Sequence, residues 1–567
     1  MKRTNLHFFF AALLLAVTPL AKGQDFSYTL QGGQTLYFNI LDDGVAVTRP
    51  SDTTLPYYNQ LGNLVIPDTV FYNDVSYPVI AVDSSAFSGC NGLSSISIPS
   101  SIAFFGQRAF YQVSGMTRTD YRGSLAQWCN INFVNGSSTP TWASGNLYIN
   151  NTAVTANSFT NDIVIIKPFA FAGFTALSGN LTLPNSLTHI GDGTFYRCSG
   201  LTAVNLPNSI RGIGKNSFRE CTNITTFALN EGIDSIGSLA FCQCTALQTI
   251  TIPRSVRYIG NNAFHQCTSL QTAYYNAENS VAGNRIGNLI YPIFGSGCTS
   301  LTSIIIGDNV KVIPDYGFSY CRNVTELVIP DSVTIIGKRT FESWDMLLSV
   351  TFGKSITSIG DSAFGWCGQL WRLNMNTTTP PQLGIRPFLN ISNTLVVNVP
   401  CEAVAAYEDD SQWGRYDING KMMYNIVLSS NNDAYGSVAV TQQATCDNPY
   451  ASITATPNPG YSFSHWSDGN SDNPRSILLS QDIELTAFFE TRSGIENLID
   501  NNDAIIYSKG LVLVVKTAQK KDVEVYDITG RIICRFEVCG ETYYSLPSSG
   551  TYLVKVGNRH IKKIAVL

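Results

Sequence analysis

The side chains best suited to chemistry in this chain are its cysteines, its histidines and one run of carboxylates. Cys90, Cys198, Cys221, Cys244, Cys267, Cys321 and Cys367 each follow a phenylalanine by three residues, and Cys298 follows Phe294 by four. One thiol per segment, without CxxC pairs or clustered histidines, is a poor ligand set for a metal ion. His189, His265, His465 and His560 are scattered, and none belongs to HExxH. Neither a GxSxG elbow nor a phosphate-cradling GxxxxGK[ST] occurs. Glu408, Asp409 and Asp410 are the residue types of acid–base hydrolysis, but three in a row read better as a solvated turn. No enzymatic activity, cofactor or metal is expected.

The spacing of these thiols reveals what positions them. Phe195, Phe218, Phe241 and Phe264, and again Phe318, Phe341 and Phe364, are 23 residues apart. A fixed period of this length marks a solenoid whose coils bury their apolar sides only against one another. In "LQTITIP", Leu247, Ile250 and Ile252 point inward, Thr249 and Thr251 outward, and Pro253 ends a parallel strand. The return "RSVRYIGNNAF" turns Val256, Ile259 and Phe264 inward, with Gly260 at a turn. Equivalent cysteines of successive coils stack about 4.8 Å apart with parallel Cβ vectors, which suits a buried thiol ladder better than a disulfide.

Only 14% of residues are charged, the net charge is −5, and no basic stripe is present, which argues against nucleic acid as a partner. Lys2 and Arg3 precede an apolar run from Phe8 to Leu20, and Ala21-Lys22-Gly23 suits signal cleavage before Gln24. No later run reaches the length of a membrane span. The expected location is outside the cell or on its surface.

The phrase "IPRSVRYIGNNAFHQCTSLQTI" resembles the BspA-type leucine-rich repeat of bacterial surface proteins. The resemblance implies a leucine-rich-repeat solenoid of parallel strands with short irregular or helical returns. An N-terminal β-rich cap is placed at 24–59 and the array at 60–420, closed by a cap at "TLVVNVPCEAVAAYEDDSQWGRY". It also implies an adhesin that binds extracellular or host-surface proteins, with glycan binding or a purely structural surface role as the alternative. The outward strand positions are mostly small or β-branched, and Glu326, Trp371, Arg372 and Asn374 stand out among them as contact candidates.

Two interruptions break the period: 61 residues separate Phe110 from Phe171, and 30 separate Phe264 from Phe294. Inserted residues of a solenoid are expected as loops on one face. In the first insert Trp128 and Trp142 either pack the excursion onto the array or serve as binding platforms; exposure decides between these.

After the array, "ITATPNPGYSFSHWSDG" and "IELTAFFE" resemble the divergent internalin-type B-repeat, placing a small β-rich module at 421–490 with Trp466 as its core. A linker follows at 491–502. Residues 503–567, with "VEVYDITGR" and "GTYLVKV", read as a compact β-sandwich and resemble the type A sorting domain of the type IX secretion system. That resemblance implies engagement of the secretion machinery and passage across the outer membrane.

Overall fold

The computed structural model describes residues 24–50, 62–282, 284–286, 289–491, 504–557 and 560–566. The export signal read at 1–23, residues 51–59 of the N-terminal cap and nearly all of the linker at 491–502 lie outside them. The chain divides into two compact units, Met1–Gly420 and Lys421–Leu567.

In the first unit each regular coil meets its neighbours along three columns. The main column consists of parallel strands such as Thr249–Ile252, Thr272–Tyr275 and Ser303–Ile306, in register as Thr249, Thr272 and Ser303. Ile250 and Ile252 are buried while Thr249 and Thr251 are exposed, the period-two alternation of a half-buried strand. The return is more regular than expected. Its two-residue strands, Ser235–Ile236, Tyr258–Ile259 and Val281–Ala282, form a second parallel ladder. A Cβ on Gly260 would lie 2.3 Å from the backbone nitrogen of Ser238, so the glycine there answers a close approach between coils.

The third column is the turn around the repeated phenylalanine. Leu239, Phe241 and Gln243 donate their N–H groups to the carbonyls of Asn261, Ala263 and His265 in the next coil at 2.9, 2.7 and 2.8 Å. Leu239 and Gln243 adopt left-handed backbone (φ 57° and 63°), which turns the donors at every second residue the same way. The backbone polar groups of the turn are thereby satisfied although its centre is buried. The phenylalanine rings stack inside: Phe218 to Phe241 at 5.6 Å and Phe241 to Phe264 at 4.9 Å, with nearly parallel planes.

The first insert does not leave the array as a loop. Arg118–Arg122 joins the main ladder beside Leu93–Pro99, and Asn132–Phe133 joins the second ladder beside Phe104–Phe105. Between them a helix, Leu125–Cys129, starts at a Ser124/Gln127 capping box. The extra residues therefore form enlarged coils whose core holds Tyr121, Trp128 and Phe133. The second insert forms an antiparallel hairpin, Asn284–Ile286 with Leu289–Tyr291.

Both ends are covered. Phe26–Thr29, Thr35–Leu41 and Gly44–Thr48 make an antiparallel meander that passes into the array where Val45 pairs with Val79. At the other end Trp413 and Tyr407 are fully buried. The Gln412 amide accepts from the Leu383 N–H (3.0 Å) and donates to the Leu383 carbonyl (2.8 Å), closing the edge of the second ladder. Asp410 accepts from the N–H groups of Gln412 and Trp413, so it shapes the turn of this cap.

In the second unit, Ile426–Ser430, Ile483–Thr491 and Tyr461–Trp466 form one sheet, and Gly436–Gln442, Tyr450–Pro457 and Arg475–Leu478 another. Trp466 lies buried between Ile453, Ile477 and Phe489, and its indole N–H donates to the Asp472 carbonyl. The β-sandwich read at 503–567 takes the form of one five-stranded antiparallel sheet. Val512–Asp527 pairs first with Ala504–Lys509 and, beyond a register shift at Thr517/Lys521, with Gly550–Val556. The shift lets the sheet curl until the Ser508 hydroxyl reaches the Ala565 carbonyl at 3.1 Å.

Candidate interaction surface

The thiols are structural, and in a way their spacing alone does not disclose. Cys198, Cys221, Cys244 and Cys267 donate S–H hydrogen bonds to the carbonyls of Phe171, Phe195, Phe218 and Phe241, each in the preceding coil, at 3.1 to 3.2 Å. Cys298 and Cys367 repeat the bond toward Phe264 and Phe341. In the one regular coil with tryptophan in this place, the Trp344 indole N–H donates to the Phe318 carbonyl at 2.7 Å. All the repeat cysteines are buried thiols outside any disulfide. Burial pushes the Cys221, Cys244 and Cys267 thiols far above their usual range and Cys367 up to about 12, so the column is a rank of neutral donors.

The six residues singled out as contacts fall into three places. Trp128 is 0% exposed, and its N–H donates to the Ala170 carbonyl at 2.9 Å, which makes it a packing residue of the enlarged coil and removes it from any surface site. Trp142 is half-buried on the turn side, where the Arg197 guanidinium covers its ring at 4.6 Å and the Tyr196 ring meets it edge-on at 5.3 Å. Glu326, Trp371, Arg372 and Asn374 lie together on the outward side of the main ladder near the C-terminal end of the array. Glu326 and Arg372 both register with Ser349, one from each side, which sets them roughly 9.6 Å apart at the usual strand spacing.

This last group has a definite form. The Arg372 guanidinium lies 4.7 Å from the centre of the Trp371 ring, which is 41% exposed. Asn374 is held in a lateral chain: its amide donates to the Thr351 hydroxyl, and its carbonyl oxygen accepts from Asn398 at 2.9 Å. One coil before Trp371, Leu348 is 37% exposed, and Met346 beside it is exposed as well. Tyr274, Ile305 and Val328 form a second exposed apolar column on the preceding strands, with Tyr274 and Ile305 in direct register; its next positions are Thr351 and Asn374, three residues along the chain from Leu348 and Trp371. The corresponding positions upstream are Thr226, Ala228, Thr249 and Thr251.

Met346 and Leu348 lie outside the strand positions proper, where period-two alternation picks out the outward residues. The residue just before each strand also faces solvent, and the series Thr325, Leu348, Trp371 would have shown it. An exposed tryptophan under an arginine, beside leucine and methionine and rimmed by Glu326 and the Arg322–Asp345 ion pair, has the composition of a protein-contact centre. Among the described residues no three of His, Cys, Asp and Glu converge to hold a metal ion, and no helix is long and apolar enough to cross a membrane.

No curated protein matches the chain. Among solved structures it is similar to a leucine-rich repeat protein from Bacteroides ovatus (22% identity over 68% of this chain and 98% of that one, TM-score 0.44). It is also similar to a leucine-rich cell surface protein from Faecalibacterium prausnitzii (20%, covering 70% and 94%, TM-score 0.35). A third is the pneumococcal vaccine antigen PcpA (17%, covering 71% and 100%, TM-score 0.36). The divergent InlB B-repeat domain matches residues 426–493. The BspA type leucine-rich repeat region matches in six copies over residues 65–146, 143–271 and 290–403, which together with the stacked 23-residue coils shows that this chain belongs to the BspA-type leucine-rich repeat family.

Proposed function

We propose that the protein is a surface-displayed or secreted adhesin whose array binds an extracellular protein through the outward side of the main ladder between Tyr274 and Trp371. The observation that carries this reading is a pair of exposed apolar columns, Tyr274, Ile305 and Val328 on the strands and Leu348 and Trp371 just before them. Water-facing residues of that size in contiguous coils favour burial by a partner. The location outside the cell is supported by the apolar run behind Lys2 and Arg3. Residues 503–567 serve, in this reading, as the sorting domain that addresses the chain to type IX secretion.

Two experiments separate these parts. Binding of the protein to immobilised extracellular-matrix proteins should fall about tenfold or more in Val328→Asp/Trp371→Ala, and unchanged binding would refute the surface. Deletion of 503–567 should leave the product in the periplasm, and undiminished display would refute the sorting role.

A further inference from the structure

A second surface lies on the turn side of the coils from Phe171 to Thr268, and its chemistry is different. Two ranks of side chains border a groove of about 670 Å³ there. Arg197, Glu220, Gln243 and Gln266 form one rank, two residues after each repeated phenylalanine, all in left-handed backbone with φ between 58° and 63°. Ser199, Thr222, Thr245 and Thr268 form the other, two residues further on. Every residue lining the groove is polar.

Its hydrogen-bonding capacity is set in advance. The Thr245 hydroxyl donates to the Thr222 carbonyl at 3.2 Å and the Thr268 hydroxyl to the Thr245 carbonyl at 3.5 Å, so their lone pairs remain as oriented acceptors. The Gln243 side-chain oxygen is a buried acceptor with no donor. Arg197 and Arg219 supply the donors. Both approach Glu220 at 3.4 Å, one on each carboxylate oxygen, and Tyr196 donates to the same carboxylate at 3.0 Å. Two guanidinium groups against one carboxylate leave a net positive charge. The Trp142 ring packs against the Arg197 guanidinium at 4.6 Å and helps to hold it in place.

We infer that this groove binds a linear glycan that bears carboxylate groups, such as a uronate polymer. The hydroxyl rank Ser199, Thr222, Thr245 and Thr268 recurs once per coil, about every 4.8 Å, a step close to the length of one sugar unit, while the guanidinium donors stand at the Arg197–Arg219 end. A peptide would find neither an apolar pocket for an anchor side chain nor a free strand edge there. Fixed hydroxyl acceptors beside guanidinium donors suit sugar hydroxyls and a carboxylate. This site goes beyond the protein-binding reading and does not share its residues.

The test is titration of the full chain with oligogalacturonate and with hyaluronan oligosaccharides, each against its carboxyl-reduced form. The acidic form of at least one should bind about tenfold more tightly than its reduced form, more weakly as salt rises. Arg197→Gln/Arg219→Gln should remove that preference. Thr245→Val/Thr268→Val, which keeps side-chain shape, should weaken binding while the thermal midpoint stays close to that of the parent. Trp371→Ala should leave glycan binding unchanged, so failure of the protein-binding reading and failure of this one are separable. No binding by either acidic sugar, equal binding of acidic and reduced forms, or full binding by the double arginine variant would overturn the inference.

Discussion

The coils from Phe195 to Thr268 and those from Phe318 to Met375 share one interior and differ outside. In both, phenylalanines stack at 4.9 to 5.9 Å, aliphatic side chains alternate inward, and a buried donor reaches back to the phenylalanine carbonyl of the coil before. Outside, the earlier coils present threonines, glutamines and arginines on their turns, and the later ones present Val328, Met346, Leu348 and Trp371 on and beside their strands. Interior columns are fixed by what lies above and below them, since one misfit disturbs two interfaces. Outer columns carry no such demand, so one solenoid can hold two unlike surfaces.

Alkaline unfolding should separate the two stretches most strongly. Burial raises the folded-state affinity of these thiols for protons, so their stabilising contribution is complete below the unfolded value near pH ~8.5 and is lost as pH rises toward about 12. Each should cost about 2 kcal/mol by pH 10. The earlier stretch carries Cys198, Cys221, Cys244 and Cys267, the later one only Cys321 and Cys367, with Trp344 between. Hydrogen exchange at rising pH should show the earlier coils opening first, and simultaneous opening would contradict the comparison.

Substitutions sharpen it. Trp344→Ala should destabilise by about 3–5 kcal/mol through its cavity and the stranded Phe318 carbonyl. Cys244→Ala should cost about 1–3 kcal/mol, because a small void and one unsatisfied acceptor remain, whereas Cys244→Ser keeps a donor and should cost less than Cys244→Ala in denaturant titration. Trp371→Ala should change stability by less than about 0.5 kcal/mol while reducing capture of the protein partner. A large loss of stability there would mean that this ring belongs to the core.

The sequence made the period, the inward residues and the burial of the thiols readable, because 23-residue spacing repeats a single packing problem. It did not disclose the thiol's hydrogen bond. Its acceptor lies 26 residues upstream in another coil, and spacing within one coil is silent about it. The second ladder was missed for a related reason: strands of two residues, such as Tyr258–Ile259, are too short for alternation to be seen. Among the contact candidates, Trp371 and Arg372 were legible as unusual side chains on an otherwise small-residue face. For Trp128 the aromatic content of the insert favours a role in packing over a binding platform, and its complete burial with an indole N–H on the Ala170 carbonyl bears that out.

The turn column gives the solenoid an electrical direction. In the runs of regular coils between Ser85 and Trp366 its N–H groups at every second position face the following coil, and the carbonyls they meet point back. Peptide dipoles so aligned add along the axis as they do in a helix, with the positive pole toward the C-terminal coils. Parallel strands alongside, whose bonds run both ways, contribute little to this sum. Lengthening the array by whole coils would extend the field without reversing it, and anions should gather preferentially where the column ends beyond Leu389.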